Sequence, residues 1–316
     1  MSRVAVVGAG AWGTALALQA HRAGREVVLW ARNPAALAGR RSPRLPDHAL
    51  PDGIQVTGAL PGHGFSAVLL AVPVQHMRAV LAGWRPAAPV LACAKGVEAS
   101  SLMLPLEILA AVHPGVPAAV LTGPNFAHEV AAGLPAASVV AATSAGLRAD
   151  LAGLLASSSF RLYGNDDPLG AQLGGAAKNV IAIAAGAVTG AGLGENARAA
   201  LITRGLAELG RLVLALGGRA ETVSGLSGLG DLLLTCTGPS SRNFSLGLAL
   251  GRGEALAGIL AGRTAAIEGV ATAPALVARA AGVDLPVCAA VAALLAGTTT
   301  LDQAIGALLA RPPRDE

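Results

Sequence analysis

Six residues near the start of the chain limit its fold more than any other stretch. Gly8-Ala9-Gly10-Ala11-Trp12-Gly13 lies between a β-branched block, Val4 to Val7, and a helix-favouring run, Thr14 to Arg22, closed by Gly24. Strand, glycine turn and helix, followed by a second strand from Glu26 to Trp30, make the first βαβ unit of a doubly wound sheet. Gly8, Gly10 and Gly13 would leave backbone N–H groups and a helix N-terminus open to a pyrophosphate, which predicts dinucleotide binding over a glycine turn of no function. The glycines also break the uncharged stretch from Val4 to Ala20, which otherwise imitates a secretory leader.

Alternation continues with strands expected at Ile54 to Thr57, Ala67 to Val72, Pro89 to Ala92, Ala118 to Leu121, Ser138 to Ala142 and Phe160 to Tyr163. Helices are expected at Gln75 to Ala82, Ser101 to Val112 and Leu147 to Ser157, and Asn33 to Gly53 reads as an exposed connection. Beyond about residue 165 the segments are long, rich in Ala and Leu, and spaced for helices, notably Pro168 to Ala187, Asn196 to Leu216, Asn243 to Leu250, Thr272 to Ala281 and Pro286 to Ala296. The fold class is therefore α/β, with a Rossmann-type domain over 1–165 and an all-helical domain over 166–316. No stretch beyond the N-terminal one reads as free enough of charge, Pro and Gly to span a bilayer, so a soluble, cytoplasmic protein is expected. Cys93, Cys236 and Cys288 are far apart and odd in number, which fits reduced thiols better than a disulfide or zinc framework.

Charge is sparse, 13% of the 316 residues, and scattered, with no basic run interleaved with aromatics, so nucleic acid is not an expected partner. The informative feature is its kind: of 23 basic residues, 21 are arginine and only Lys95 and Lys178 are lysine. Arginine stays charged at any working pH, whereas a lysine can be tuned until it gives up and regains a proton, which suits a general acid or base. Survival of two lysines by accident is the bland alternative. Against it, Lys95 follows a strand at the ligand-binding edge of an open sheet, and Lys178 interrupts the apolar tract Ala171 to Val188. Asp231, the only acid between Glu221 and Glu254, is placed to face a buried lysine.

All six histidines precede residue 129, none with metal-ligand spacing, and GxSxG and GxxxxGK[ST] are absent. At the end of the second strand, where an acid would hold a ribose 2'-hydroxyl, stand Trp30, Ala31 and Arg32. That favours NADP(H), with Arg32 and Arg44 as phosphate partners, and leaves NAD(H) possible. Ser240-Ser241-Arg242-Asn243 before an apolar helix reads equally as an anion site or as ordinary N-capping.

Gly8 to Leu16, Lys95-Gly96, Gly123-Pro124-Asn125-Phe126-Ala127, Lys178-Asn179-Val180-Ile181-Ala182, Ser241-Arg242-Asn243 and Glu268-Gly269 together resemble the bacterial NAD(P)-dependent glycerol-3-phosphate dehydrogenases, in order and over nearly the whole chain. The resemblance implies reversible reduction of dihydroxyacetone phosphate to sn-glycerol 3-phosphate for glycerophospholipid synthesis, by a protein expected to be a homodimer. It makes Lys178 the catalytic proton donor and acceptor. It sets Lys95, Gly123, Asn125, Asp231, Ser241, Arg242 and Asn243 around the substrate, and Ala11, Trp12, Arg32, Lys95, Ala127, Arg242 and Glu268 near the cofactor. Three positions depart from the pattern: Asn125 replaces Ser or Thr, Ala11 replaces a frequent Ser, and Arg44 an aromatic residue. The rival expectations are another two-domain dehydrogenase, of the 3-hydroxyacid or 6-phosphogluconate kind, and a dinucleotide-binding regulator without turnover.

Overall fold

The computed structural model describes residues 2–262 and 266–312. The first half is a sheet with helices on both faces. In chain order it runs β1 (Arg3–Val7), α1 (Ala11–Arg22), β2 (Glu26–Trp30), β3 (Arg41–Ser42), β4 (Leu45–Ala49), β5 (Ile54–Thr57), β6 (Ala67–Leu70), α2 (Val74–Ala82), β7 (Val90–Ala92), α3 (Pro105–Val112), β8 (Ala118–Thr122), α4 (Ala127–Ala132), β9 (Ala136–Ala141), α5 (Ala145–Leu155) and β10 (Phe160–Asn165). Spatial order is β10-β9-β8-β7-β6-β1-β2-β5, parallel except between β8 and β9. The chain reverses its direction of winding between β1 and β6, and the carboxyl edge there is the ligand-binding crevice of this topology.

The central strands are apolar throughout because both faces are covered. Val4 and Val6 of β1 pack on the side of α1, α4 and α5, while Ala5 and Val7 pack with Met77 and Leu81 of α2 and Ile108 of α3. The connection expected to be exposed between Asn33 and Gly53 is partly otherwise. Its β3 and β4 pair as a small antiparallel hairpin with Leu37, Ser42, Leu45 and Leu50 buried. Ser42 Oγ donates to Ala9 O at 3.2 Å, fastening the hairpin over the glycine turn.

The second half is helical: α6 (Pro168–Gly190), α7 (Gly194–Ala215), α8 (Ala220–Ser224), a π-turn over Leu226–Gly230, α9 (Asp231–Cys236), α10 (Arg242–Gly251), α11 (Leu256–Ala261), α12 (Glu268–Arg279), α13 (Pro286–Ala296) and α14 (Leu301–Leu309). Helix α6 starts on an Asp167 cap that accepts from Gly170 N, with Pro168 in its first turn. Contrary to the reading that no such stretch exists, α6 is long and apolar enough to cross a membrane, but 89% of its apolar window is buried in this fold. It is the central post of the helical core, and α10 crosses it closely. A Cβ on Gly247 would lie 2.0 Å from Ile183 O, and one on Gly186 2.1 Å from Phe244 O.

Candidate active site

The glycine turn closes β1 at the winding reversal. Gly8 has φ +116°, a conformation that disfavours side chains, and a Cβ on Gly13 would sit 1.7 Å from Gly8 O, so α1 packs hard onto the turn. A Cβ on Gly10 would meet nothing within 4 Å. The turn is thus tight where helix and strand meet and open at the N-terminus of α1, with Ala11 and Trp12 in its first turn. That is the shape a pyrophosphate requires. The hairpin carries Arg44 beside it, exposed, and Arg32 is exposed just past β2.

Across the crevice, the two lysines converge on one carboxylate. Lys95 follows β7, and its Nζ donates to Asp231 Oδ2 at 2.6 Å and to Gly123 O at 2.9 Å. Lys178, in the middle of α6, donates to Asp231 Oδ1 at 2.7 Å and to Thr235 Oγ1 at 2.9 Å. Asp231 is fully buried at the start of α9. Two ammonium groups on one carboxylate leave a positive excess suited to an anionic substrate. Burial pushes Lys95 down to about 8, with Asp231 opposing the shift and Lys178 adding to it.

The remaining expected residues surround this group. Glu268 opens α12 beside Gly96, and a Cβ there would lie 3.5 Å from Glu268 Oε2. Burial raises the Glu268 carboxyl to about 7, partly offset by Arg242. Ser241 caps α10 by accepting from Phe244 N, as the N-capping reading foresaw. Arg242 Nη1 donates to Ala266 O at 2.8 Å, and its guanidinium is destabilised by burial and by the charge of Arg44. Asn243 is built into the core, its Nδ2 donating to Asn179 Oδ1 and its Oδ1 accepting from Gly269 N. Asn125 Nδ2 donates to Ser138 Oγ, and its buried Oδ1 has no partner among the described residues. Ala127 begins α4. Thr235 was not anticipated; its one sequence signal is a hydroxyl four residues after Asp231, one turn along the same helix.

A dinucleotide turn facing a lysine-carboxylate-lysine group across a two-part fold defines the oxidoreductase class of nicotinamide-linked dehydrogenases. Within it, the profile described as NAD-dependent glycerol-3-phosphate dehydrogenase N-terminus matches residues 3–147, and its C-terminus counterpart matches 167–306. Glycerol-3-phosphate dehydrogenase [NAD(P)+] of Gluconobacter oxydans is 53% identical over 99% of this chain and 98% of its own, and that of Acidiphilium cryptum 57% over the same shares. The crystal structure of glycerol-3-phosphate dehydrogenase from Coxiella burnetii superposes with a TM-score of 0.93 at 37% identity, covering 98% of this chain and 99% of that one. The chain belongs to the NAD-dependent glycerol-3-phosphate dehydrogenase family.

Proposed function

We propose that the protein reduces dihydroxyacetone phosphate reversibly to sn-glycerol 3-phosphate, with residues 1–165 holding NADP(H), or NAD(H), and 166–316 the substrate. The observation that carries this reading is the bridge of Lys95 and Lys178 through Asp231 opposite the glycine turn. Gly8, Gly10, Gly13, Ala11 and Trp12 would hold the pyrophosphate, Arg32 and Arg44 a 2'-phosphate, and Ala127, Glu268, Arg242 and Lys95 the nicotinamide end. The bound nicotinamide supplies a hydride to the substrate's carbonyl carbon.

Lys178 gives its Nζ proton to the carbonyl oxygen on which negative charge develops and regains it in the reverse direction. Asp231 and Thr235 fix that amine, since both accept from Nζ. Lys95 adds positive charge at the developing alkoxide. Arg242, at the first turn of α10 with Ser241 and Asn243, grips the phosphate and uses binding remote from the reaction to orient the carbonyl. Ser241 Oγ accepts the capping bond and keeps its own O–H to donate. Gly123 and Asn125 shape the floor beneath.

The test is NADPH oxidation by purified protein with dihydroxyacetone phosphate or 3-oxoacids, beside NADPH formation from NADP+ with 6-phosphogluconate. Turnover with dihydroxyacetone phosphate that falls about a hundredfold or more in Lys178→Ala, with NADPH binding intact, supports the reading. Near-wild-type turnover of that variant removes Lys178 from the chemistry, and binding of NADPH without turnover on any substrate marks a regulator. A cytoplasmic homodimer associating through its helical half, which exposes Leu214 and Leu233, completes the proposal.

A further inference from the structure

We infer that Gly175 is a positioning residue: the notch it leaves in α6 sets the course of the Lys95 stem to Asp231. This rests on the function proposed above and adds a residue to it. Gly175 lies one turn before Lys178, on the same flank of the helix. A Cβ there would stand 3.3 Å from Lys95 Cγ, 3.5 Å from Lys95 Cδ and 3.2 Å from Thr122 Oγ1. Lys95 Cγ and Thr122 Oγ1 stand closer than ordinary contact, so a Cβ there requires one of them to give by a few tenths of an ångström. The space between them, lined also by Ala94, Pro105 and Gln172, is too small for a water. Thr122 Oγ1 is buried with no partner among the described residues, so no alternative bond draws it aside. Lys95 is held at its far end by Asp231 Oδ2 and Gly123 O, so pressure on the stem is passed to the ammonium.

The neighbouring Gly174 has a different cause, because a Cβ there would collide with the backbone oxygen of Ser227 at 2.4 Å. At Gly175 the obstacles are side-chain atoms. Alanine, the better helix former, fits once Lys95 shifts by a few tenths of an ångström. Selection for stability alone would favour alanine; room for Lys95 favours glycine.

The test is a double-mutant cycle with NADPH and dihydroxyacetone phosphate. Gly175→Ala is expected to keep or raise the Tm, leave the KM for NADPH within about twofold, and lower kcat about tenfold, a displacement of this size being costly at a reacting centre. In a Lys95→Ala background, which removes the stem, the same substitution is expected to change kcat less than about twofold. Gly210→Ala, on α7 where a Cβ meets nothing within 4 Å, controls for helix stabilisation and keeps full activity. Equal losses of kcat with and without the Lys95 stem, or an unchanged kcat in Gly175→Ala alone, overturn the inference. Inactivity of the wild-type protein on dihydroxyacetone phosphate defeats instead the function on which it rests. If Gly175→Ala fails to fold, Gly175→Ser in the two backgrounds replaces it, judged by the same non-additivity.

Discussion

Lys95 and Lys178 share a carboxylate but not an environment. Burial outweighs the help Lys95 gets from Asp231 and brings it down to about 8, close to neutral pH. A lysine depressed in this way is cationic below that value and neutral above it. If its charge holds the phosphorylated substrate or the developing alkoxide, kcat/KM falls as pH rises through about 8. A profile from pH 6 to 10 checks this, and Lys95→Ala is expected to lose that limb. At the other end of the crevice, no acid follows β2, and Arg32 is exposed where a 2'-phosphate would sit. Arg32→Asp is expected to raise the KM for NADPH about tenfold or more, the worth of one charge-assisted contact, while the KM for NADH stays within about twofold. Equal changes in both constants would make Arg32 a solvated bystander.

The helices around α6 are held by the absence of side chains as much as by their presence. Gly186 and Gly190 of α6 face Gly247 and Gly251 of α10, and a Cβ on any of the four would lie 2.0–2.2 Å from a carbonyl oxygen of the opposite helix. Backbone cannot rotate away as a side-chain end does, so Gly247→Ala forces the helices apart. The expected cost is about 3 kcal/mol, read from chemical denaturation, against a gain of up to about 1 kcal/mol from the same change at half-buried Gly210, where a Cβ meets nothing within 4 Å. This seam also keeps Asn243 on α10 against Asn179, next to Lys178, so the loss should reach activity. Elements of this kind were only partly legible in the sequence. Long runs such as Pro168–Gly190 declared themselves, whereas α4, α8, α9 and α11 have six residues or fewer, under two turns and too short for a period to emerge. The β3–β4 hairpin hid in a Pro- and Arg-rich segment because its buried residues, Ser42, Leu45 and Leu50, follow no alternation.

At the scale of the whole molecule, the doubly wound sheet and an acid facing a buried lysine were readable because both follow from strong constraints: strands buried on two faces must be continuously apolar, and a rare cation in an apolar tract needs a partner. Thr235 was not readable, since hydroxyl residues are common and only three-dimensional contact singles one out. Nor was the device that ties the halves together. Helix α12 runs from Glu268, against Gly96, to Arg279, whose guanidinium donates to both oxygens of Glu107 on α3, at 2.9 and 2.7 Å, and to Leu102 O at 2.7 Å. From the other side, Arg78 of α2 grips Glu98 in the same loop that starts at Lys95. A forked pair that is partly screened is worth about 1 kcal/mol, small for stability but spent at the junction that places Lys95. Trp12, Trp30 and Trp84 all lie in the first half, so tryptophan fluorescence follows that half, while far-ultraviolet dichroism is dominated by the helices of the second. In the intact protein the two signals should report one cooperative transition in guanidinium chloride. Arg279→Ala is expected to separate them, the helical signal and the fluorescence moving at different denaturant concentrations, and to lower kcat more than it raises either KM. Coincident curves in that variant would mean that the halves are coupled through their apolar contact alone, with Arg279 a passenger on it.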